Sequence, residues 1–451
     1  MGQHNRRPYK LPQKLYCNAA KLNADGTPSM DLVRRFIRLH EDHTHARYNY
    51  LSAMYEGLHD IYHDPAKEEW KPDNRIAVNF PKYLVDTFMG YAYGTPIKET
   101  AADEAINDEV QDFRRNNSEE DEIFELLKMV CEYGHAWEYV YQNEEAETRI
   151  KAMAPDFLFC VYDDTIRERA LFAIRYGYHV REDGELTQTR YGEIMTPLYL
   201  ISFDDGKITE TRENPYGMIP VVEYVLNAER SSLYEGQTGM TEIYNRTLSE
   251  KGNDVDSFAE AYLEILGVPV DEDGVRRIRD NRLINVYGTD DAKQVLVNFL
   301  QKPTADGTQE NLLDRLEKLI FLTSMVANIS DETFGSSTSG IALSYKLWST
   351  SNLAKTLDRK TSKSLRKRYK LWASLPTNTA DPNAYKDIAF VFSRNVPKNT
   401  QEEAQTAASL SGIVSHKTQL SMLSAVPDAD AELERIEEEK QAEYISAGAN
   451  V

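Results

Sequence analysis

The feature of this sequence that most constrains its fold is a β-rich stretch, 137–226, which is enclosed by long helical stretches. Its short runs of β-branched and aromatic residues are separated by polar turns such as Arg181–Gly184, a pattern typical of an antiparallel sheet. After it, apolar residues recur at helical spacing over Thr241–Leu266, Gln309–Ile329 and Ile341–Leu375. Because the two patterns occupy different parts of the chain, the sequence predicts an α+β fold.

The same patterns predict the other elements. Helices are expected over Ser29–Tyr62, within Arg75–Thr100, over 105–116 and over Glu119–Tyr133. Strands are expected at Trp137–Tyr141, Phe157–Tyr162, Ala170–Val180, Pro197–Phe203, Pro220–Leu226 and Lys386–Arg394. A small α/β insert is expected over Gly267–Thr304, and an amphipathic helical tail over Thr400–Ala447.

Composition narrows the class of protein. The chain has 451 residues, of which 41% are hydrophobic and 28% charged, as in folded proteins. No apolar run approaches the length of a membrane span, so no membrane partner is expected. Three scattered cysteines and a polar start without a secretory signal favour a reducing cytoplasm. The formal net charge of −21 disfavours non-specific DNA binding by the surface as a whole.

The charge is distributed unevenly. Lys355–Lys370 contains eight basic residues and one acidic residue, whereas Asp428–Glu443 contains eight acidic residues and two basic ones. The basic stretch could contact phosphates or a neighbouring acidic subunit, or it could be a solvated helix face. Its candidate contact residues are Lys355, Arg359, Lys360, Lys363, Arg366 and Lys367.

Motifs for nucleotide or covalent chemistry are missing from the sequence. It contains no phosphate-binding loop, no dinucleotide fingerprint and no nucleophile elbow, so we expect neither a catalytic centre nor a cofactor. Histidines at 40, 43, 45, 59 and 63 could bind a metal. The residue after His59 is Asp60 rather than the glutamate of the zinc-protease motif, and no third ligand is evident. The prediction is therefore that the chain binds no metal.

A small, polar loop joins two of the predicted long helices. At about eleven residues it exceeds the usual helix–helix connection. It is either a surface loop or a mobile loop that projects into a lumen or onto a ligand. Its residues are Ser330, Asp331, Glu332, Thr333, Phe334, Gly335, Ser336, Ser337, Thr338, Ser339 and Gly340.

Several local sequences, in this order, resemble the portal proteins of tailed bacteriophages, specifically the SPP1 Gp6-like family. Asn79–Ile97 is similar to that family's stretch ending in Y-x-x-G-x-P-I. Ile219–Val222, followed by Tyr244–Ser249 and Asn253-Asp254, is similar to its entry into the first stem helix. Ser339–Leu343 is similar to the S-G-x-A-L start of the helix after the tunnel loop.

The resemblance implies a portal fold with a β-rich wing, two stem helices, a small α/β clip, a long wing helix and a helical crown. Carried onto this chain, the implied regions are the wing 1–240, first stem helix 241–266, clip 267–304, second stem helix 305–329, tunnel loop 330–340, long wing helix and returning wing strand 341–399, and crown 400–451. The strand Lys386–Arg394 would rejoin the wing sheet.

The resemblance also implies a function and its partners. About twelve copies would form a ring at one capsid vertex, assembled in the host bacterial cytoplasm and retained in the virion. The ring would be the channel for double-stranded DNA during packaging and ejection. It would dock terminase and head–tail adaptor proteins and contact the major capsid and scaffold proteins.

In such a channel, Asp256, Glu260 and Glu264 on the polar face of the first stem helix would repel the duplex and keep it centred.

Two other interpretations of the function stay open. One is a metal-dependent nucleic-acid-processing enzyme that uses His40, His43 and His63. The other is a scaffold or adaptor protein without a through-channel.

Overall fold

The structure of the protein is a computed structural model with a mixed α+β architecture, which confirms the predicted fold class. It describes residues 14–69, 71–180, 184, 186–258, 262–266, 296–300, 306–329, 344–396, 400–423, 425–426 and 429–448. No helix within these ranges is long and apolar enough to cross a lipid bilayer.

In the described part of the chain, five α-helices lie between strand Leu15–Cys17 and the strands that begin at His135. Side chains directly before three of them accept a hydrogen bond from a backbone N–H of the first turn: Ser29, Asn79 and Asp103. The predicted helix Ser29–Tyr62 is interrupted, because a π-helical turn separates its two halves and the second half ends at Glu56. The helices are α1 (Met30–His40), α2 (Ala46–Glu56), α3 (Phe80–Tyr93), α4 (Glu104–Asn116) and α5 (Glu119–Tyr133).

The strands in the described ranges form four sheets. They are β1 (Leu15–Cys17), β2 (Lys98–Ala101), β3 (His135–Gln142), β4 (Thr148–Met153), β5 (Leu158–Asp163), β6 (Ala170–Val180), β7 (Leu186–Met195), β8 (Tyr199–Asp204), β9 (Lys207–Glu213), β10 (Val221–Val225), β11 (Tyr262–Leu266), β12 (Leu296–Leu300) and β13 (Ile388–Val391). The largest sheet has the order β1-β5-β6-β7-β8-β9 and is antiparallel except for the parallel pair β1–β5. The second has the order β10-β3-β4.

The strand predicted at Lys386–Arg394 is shorter and pairs elsewhere than expected. Only Ile388–Val391 is extended, and it pairs antiparallel with β2 in a separate two-stranded sheet, with Phe390 opposite Glu99. It therefore joins neither of the two larger sheets. A pattern of apolar residues predicts that a strand exists, but it does not identify the partner strand.

Three long helices follow the sheets: α6 (Thr238–Phe258), α7 (Asp306–Ser324) and α8 (Trp348–Trp372). Helices α6 and α7 pack side by side. The prediction of one helix over Thr241–Leu266 is wrong at its C-terminal end, since α6 ends at Phe258 and 262–266 is strand β11, paired with β12. The C-terminal helices are α9 (Thr400–Ser409), α10 (His416–Ser421) and α11 (Ala429–Gly448).

The largest buried apolar cluster lies where α3, α5, α7 and α8 meet the β10-β3-β4 sheet. It includes Phe88 of α3, Val222 of β10 and Leu365 of α8, each fully buried. A second cluster fills the space between α1 and the six-stranded sheet, where Phe36 packs edge-on against Phe172. Helix α8 is therefore anchored along one side in the main core.

Candidate functional site

Helix α6 buries the face that its sequence predicts to be polar and exposed. The side chains of Asn245, Ser249 and Asn253, one helical turn apart, are at most 5% exposed. Each accepts a hydrogen bond from the backbone of an extended segment, 74–78: Val78 N–H donates to Asn245 Oδ1 at 2.8 Å, Ile76 N–H to Ser249 Oγ at 2.8 Å and Asn74 N–H to Asn253 Oδ1 at 2.7 Å.

We call these three side chains the polar ladder. Its spacing explains why it fits an extended chain. Four residues of helix rise about 6 Å, and two residues of extended chain advance about 6.6 Å, so every second N–H meets an acceptor. The Ile76 side chain lies close to the helix at Gly252, where a Cβ would be 3.1 Å from Ile76 Cδ1. The polar face of α6 is therefore covered by the backbone of the segment 74–78 and is not exposed.

This arrangement corrects the predicted acidic stripe on the first stem helix. Asp256 is exposed and accepts a hydrogen bond from Asn74 Nδ2. Glu264 lies in strand β11 opposite Asn298, so it cannot share a helix face with Asp256. Glu260 lies outside the described residues. Helical spacing could not reveal this outcome, because strand β12, which pairs with 262–266, is about thirty residues away in the sequence.

The predicted mobile loop, Ser330–Gly340, lies outside the described residues, and so do most of Gly267–Thr304 and the helix start at Ile341–Leu343. The chain on either side of the loop is described. Thr350, in the first turn of α8, is buried; its hydroxyl accepts a hydrogen bond from Ala327 N–H and donates one to the carbonyl of Met325, both at 3.0 Å. The chain before the loop is therefore fixed to the first turn of α8.

Five exposed cations line one face of α8: Lys355, Arg359, Lys363, Arg366 and Lys370. We call this set the basic stripe. Its spacing of four, four, three and four residues keeps it on one side of the helix over about 22 Å. Among the described residues, none of the five forms an ion pair. The stretch's one acidic residue, Asp358, instead pairs with Arg394.

Two of the predicted contact residues on α8 do not belong to the stripe. Lys367 donates a hydrogen bond from Nζ to the carbonyl of Val221 at 2.8 Å, which ties the helix to β10. Lys360 is half-buried. Lys370, which was not among the candidates, extends the stripe by one turn. Of the six predicted contact residues, all except Lys360 are exposed, and their contact with a ligand stays a prediction.

On its opposite side, α8 buries a charge that the sequence analysis missed. Arg368 is fully buried and donates hydrogen bonds to both carboxylate oxygens of Glu138, at 2.5 to 3.0 Å, and to Glu119 at 2.5 Å. Glu99 lies in the same cluster, where the hydroxyl of Tyr369 donates to it. We call this set the buried charge cluster. Arg368 lies at helical spacing on the same face as Leu357, Thr361, Leu365 and Trp372. That spacing was the one sign in the sequence that its side chain is buried.

The cluster contains three carboxyl groups and two guanidinium groups. Glu99, Glu119 and Glu138 face Arg368 and the partly buried Arg114, whose Nε lies 3.8 Å from Glu99 and 3.3 Å from Glu119. Burial, together with the charge of Glu119, raises the pKa of Glu99 to about 8. Glu99 is therefore mainly protonated at neutral pH, which balances three carboxyl groups against two guanidinium groups.

Two of the three histidines of the enzyme alternative, His40 and His63, have described side chains. His40 is buried, its ring stacks on Phe159, and its two nitrogens lie 2.9 Å from the hydroxyl of Tyr176 and 3.0 Å from the carbonyl of Pro155. Burial lowers the pKa of His40 to about 3. His63 is exposed, and the side chain of His43 lies outside the described part. Within that part, no group of three histidine, cysteine or acidic side chains could hold a metal ion.

A second buried charge pair lies against strands β10 and β3 of the second sheet. Arg230 lies 2.6 Å from Glu223, whose other neighbour, His135 Nδ1, is at 3.1 Å, while Tyr48 bonds to His135 Nε2 at 2.7 Å. Burial opposes ionisation of Glu223, but Arg230 and His135 lower its pKa to about 2. Burial lowers the pKa of His135 to about 4. At neutral pH, His135 is therefore neutral and Glu223 is ionised.

Comparison with known proteins gives one consistent result. The sequence pattern of the family described as "Phage portal protein, SPP1 Gp6-like" matches residues 34–444. The chain is 24% identical over 449 residues to the portal protein of Bacillus phage SPP1, a match that covers 91% of this chain and 86% of the relative. It is 23% identical over 406 residues to the portal protein of Clostridium phage phiCD119, covering 84% of this chain and 88% of the relative.

Proposed function

Because the chain belongs to the SPP1 Gp6-like family of phage portal proteins, we propose that about twelve copies of it form a ring at one vertex of the capsid. The ring is the channel through which double-stranded DNA enters during packaging and leaves during ejection. The observation that carries this proposal is the family match, which extends over 34–444 and therefore involves nearly every region of the chain.

The partners follow from that position. Terminase docks on the ring during packaging, head–tail adaptor proteins replace it afterwards, and the major capsid and scaffold proteins surround it. The protein is assembled in the cytoplasm of the host bacterium and stays in the virion. No catalytic centre is required of this chain, because terminase supplies the energy of packaging from ATP.

The regions of the fold receive roles within this proposal. Residues 1–240 form the wing, and helices α6 and α7, packed side by side, form the stem, so that the first stem helix ends at Phe258. Residues 267–304 form the clip, with strands β11 and β12 at its base. Helix α8 crosses the wing, and 400–451 form the crown.

The proposed channel cannot be lined by an acidic stripe along the first stem helix. The ladder on α6 is occupied by the segment 74–78, and of the three predicted acidic residues Asp256 alone is placed on the exposed part of that helix. We assign the closest approach to DNA to the tunnel loop, Ser330–Gly340. Its hydroxyl-bearing side chains offer weak, replaceable contacts, which suit a duplex that must slide.

The mass and shape of the purified protein test this proposal. We expect light scattering to report a particle of several hundred kilodaltons built from the 51.6 kDa chain, and negative-stain images to show an axial opening. A stable monomer at high concentration would contradict the ring. Closed particles without an opening would favour the scaffold alternative, and metal-dependent nuclease activity lost in His63→Ala would favour the enzyme.

Deletion of Ser336–Ser339 tests the role of the tunnel loop. We expect rings to assemble as before, while DNA packaging or retention falls. The matched control replaces the same four residues with alternating alanine and glycine, which keeps the loop length. Normal packaging by the deletion variant would show that the loop does not meet DNA.

A further inference from the structure

The basic stripe on α8 has no role in the proposed function as stated above. Its five cations, Lys355 through Lys370, project from the side of the helix opposite the buried charge cluster. Because the apolar face of α8 is fixed in the main core, this side is held outward. A rigid helix therefore presents positive charges separated by about 4.5 to 6 Å of helix rise.

The charges of the stripe are free to meet an external anion. No carboxylate of the described part lies within ion-pair distance of any of the five, and Asp358 is turned away to Arg394 and Tyr93. The chain as a whole carries −21, but salt screens charges beyond about 8 Å at physiological ionic strength. A ligand at the surface of α8 therefore experiences the local positive charge more strongly than the distant negative charge.

The composition of the stripe discriminates between two kinds of polyanion. A protein partner such as the acidic tail helix α11 would be expected to bury aromatic or apolar residues at the centre of the contact, where lysine is depleted. The stripe contains only lysine and arginine, and its exposed neighbours within 352–370 are Asn352, Thr356 and Lys367. The exposed Trp348 lies at the N-terminal end of α8, seven residues before Lys355, and not at the centre of the stripe. This composition is that of a surface that contacts phosphates, in which cations and hydroxyl groups bind the backbone without reading bases.

We propose that the basic stripe of α8 binds the phosphate backbone of double-stranded DNA without sequence specificity. This inference rests on the proposed function, since it assumes that the portal ring handles DNA. In a ring the stripe recurs around the axis, so DNA meets equivalent cations whatever its rotational position. The stripe and the tunnel loop are different segments of the sequence, and we assign to the stripe the function of holding DNA rather than letting it slide.

The salt dependence of DNA binding tests this proposal. The probe is a fluorescent linear duplex of unrelated sequence, titrated with the full-length protein at several salt concentrations. If all five cations contact phosphates, affinity falls about 500-fold between 50 and 200 mM salt, from a slope of about −0.9 per contact. The stripe variant carries Lys355→Gln, Arg359→Gln, Lys363→Gln, Arg366→Gln and Lys370→Gln, and it should lose most of this slope and at least about tenfold in affinity at low salt.

Two further variants act as controls. The first removes five exposed cations elsewhere, through Arg35→Gln, Arg38→Gln, Lys98→Gln, Arg167→Gln and Lys207→Gln, and it should bind nearly as the wild type does. The second replaces the three lysines of the stripe with arginine. It should retain the affinity, because phosphate contacts need the charge rather than the particular side chain.

Each other result would overturn the inference. If the stripe variant and the first control lose the same DNA affinity, the effect comes from the net charge of the protein and not from the stripe. Unchanged DNA binding with loss of the oligomer would assign the stripe to an acidic protein surface. Absence of DNA binding by the wild type at low salt would also refute it. If the wild type forms no ring but the stripe still determines DNA affinity, the proposed function fails and this inference stands.

Discussion

Helices α6 and α8 both bury polar side chains, but they do so by different means. The polar ladder on α6 is built from neutral groups, each of which accepts one backbone N–H of the segment 74–78. The cluster on α8 is built from ions, in which Arg368 lies among three carboxyl groups. A neutral ladder can lose one contact at modest cost, whereas removing one partner of a buried ion cluster leaves charges that nothing compensates.

The two kinds of buried polar contact attach α6 and α8 to the rest of the molecule with different firmness. The ladder joins the proposed stem to a single extended segment of the wing. The buried charge cluster joins α8 to β2, α5 and β3 at once, through Glu99, Glu119 and Glu138. We therefore expect α8 to be the more rigidly fixed of the two helices.

The largest effect should come from Arg368→Met. This change leaves Glu138 buried without its cation and leaves Glu119 with Arg114 alone, and we expect a loss of about 3–5 kcal/mol in the free energy of unfolding. Denaturant unfolding followed by circular dichroism measures it. Arg366→Met, on the exposed side of the same helix, is the matched control. If both variants lose the same stability, the cluster does not fix α8.

The pH dependence of stability should reveal the protonated carboxyl group in the cluster. The folded-state pKa of Glu99 is raised to about 8 from an ordinary value of 4.5, so its contribution to stability is complete below pH 4.5 and is lost as the pH rises through 8. The slope is at most about 1.4 kcal/mol per pH unit. The groups that face Glu99 are Glu119, Arg114, Arg368 and Tyr369.

The difference between the wild type and Glu99→Gln isolates this effect. His40 and His135 have lowered pKa values, so they contribute the opposite slope below pH 6.5 in both proteins. Thermal unfolding between pH 5 and 9 should therefore show a decline that Glu99→Gln removes and that the exposed control Glu120→Gln retains. Parallel profiles for all three proteins would show that Glu99 is ionised in the fold.

Loss of one acceptor from the polar ladder should have a smaller effect. Ser249→Ala removes the acceptor of the Ile76 N–H. Because Ile76 is 42% exposed and water can replace part of the lost bond, we expect a cost of about 0.5–1.5 kcal/mol. Hydrogen exchange gives a residue-specific measurement, in which the Ile76 amide loses protection while the core of α8 keeps it. Val255→Ala, at an exposed position of α6, should leave that amide unchanged. Exchange at Ile76 that does not differ between the two variants would contradict the ladder.

The smallest effect should come from the basic stripe. Lys363→Gln removes an exposed, unpaired charge, so the free energy of unfolding should stay within about 0.5 kcal/mol of the wild type. Leu365→Ala, two residues away in the core, should cost about 2–5 kcal/mol. A large loss in Lys363→Gln would mean that the stripe is part of the structural core rather than a free surface.

The sequence predicted elements well where burial imposes a period. Strand β6 and the helices over 105–116 and Glu119–Tyr133 were located nearly to the residue, because their apolar residues follow the sheet or helix repeat. Strand β9 was missed, since all of its side chains are exposed and it is held by backbone pairing with β8. Its sequence, Lys207–Glu213, carries no apolar pattern to detect.

The surfaces of the candidate site were predictable to a smaller extent. The density of cations in 355–370 indicated a basic helix, but the sequence could not say which of them would be exposed. It placed Arg368 and Lys370 in one stretch, although the first is buried in an ion cluster and the second belongs to the stripe. Asn245 and Ser249 are polar residues of α6 that are buried, and no rule of spacing anticipates a backbone segment as their partner.

Cryo-electron microscopy of the purified full-length protein tests the central claim most directly. We expect a closed ring of about twelve copies around an axial opening wide enough for a DNA duplex, with α6 and α7 beside the axis. A reconstruction of separate monomers, or of a closed particle in which these two helices lie away from any opening, would contradict it.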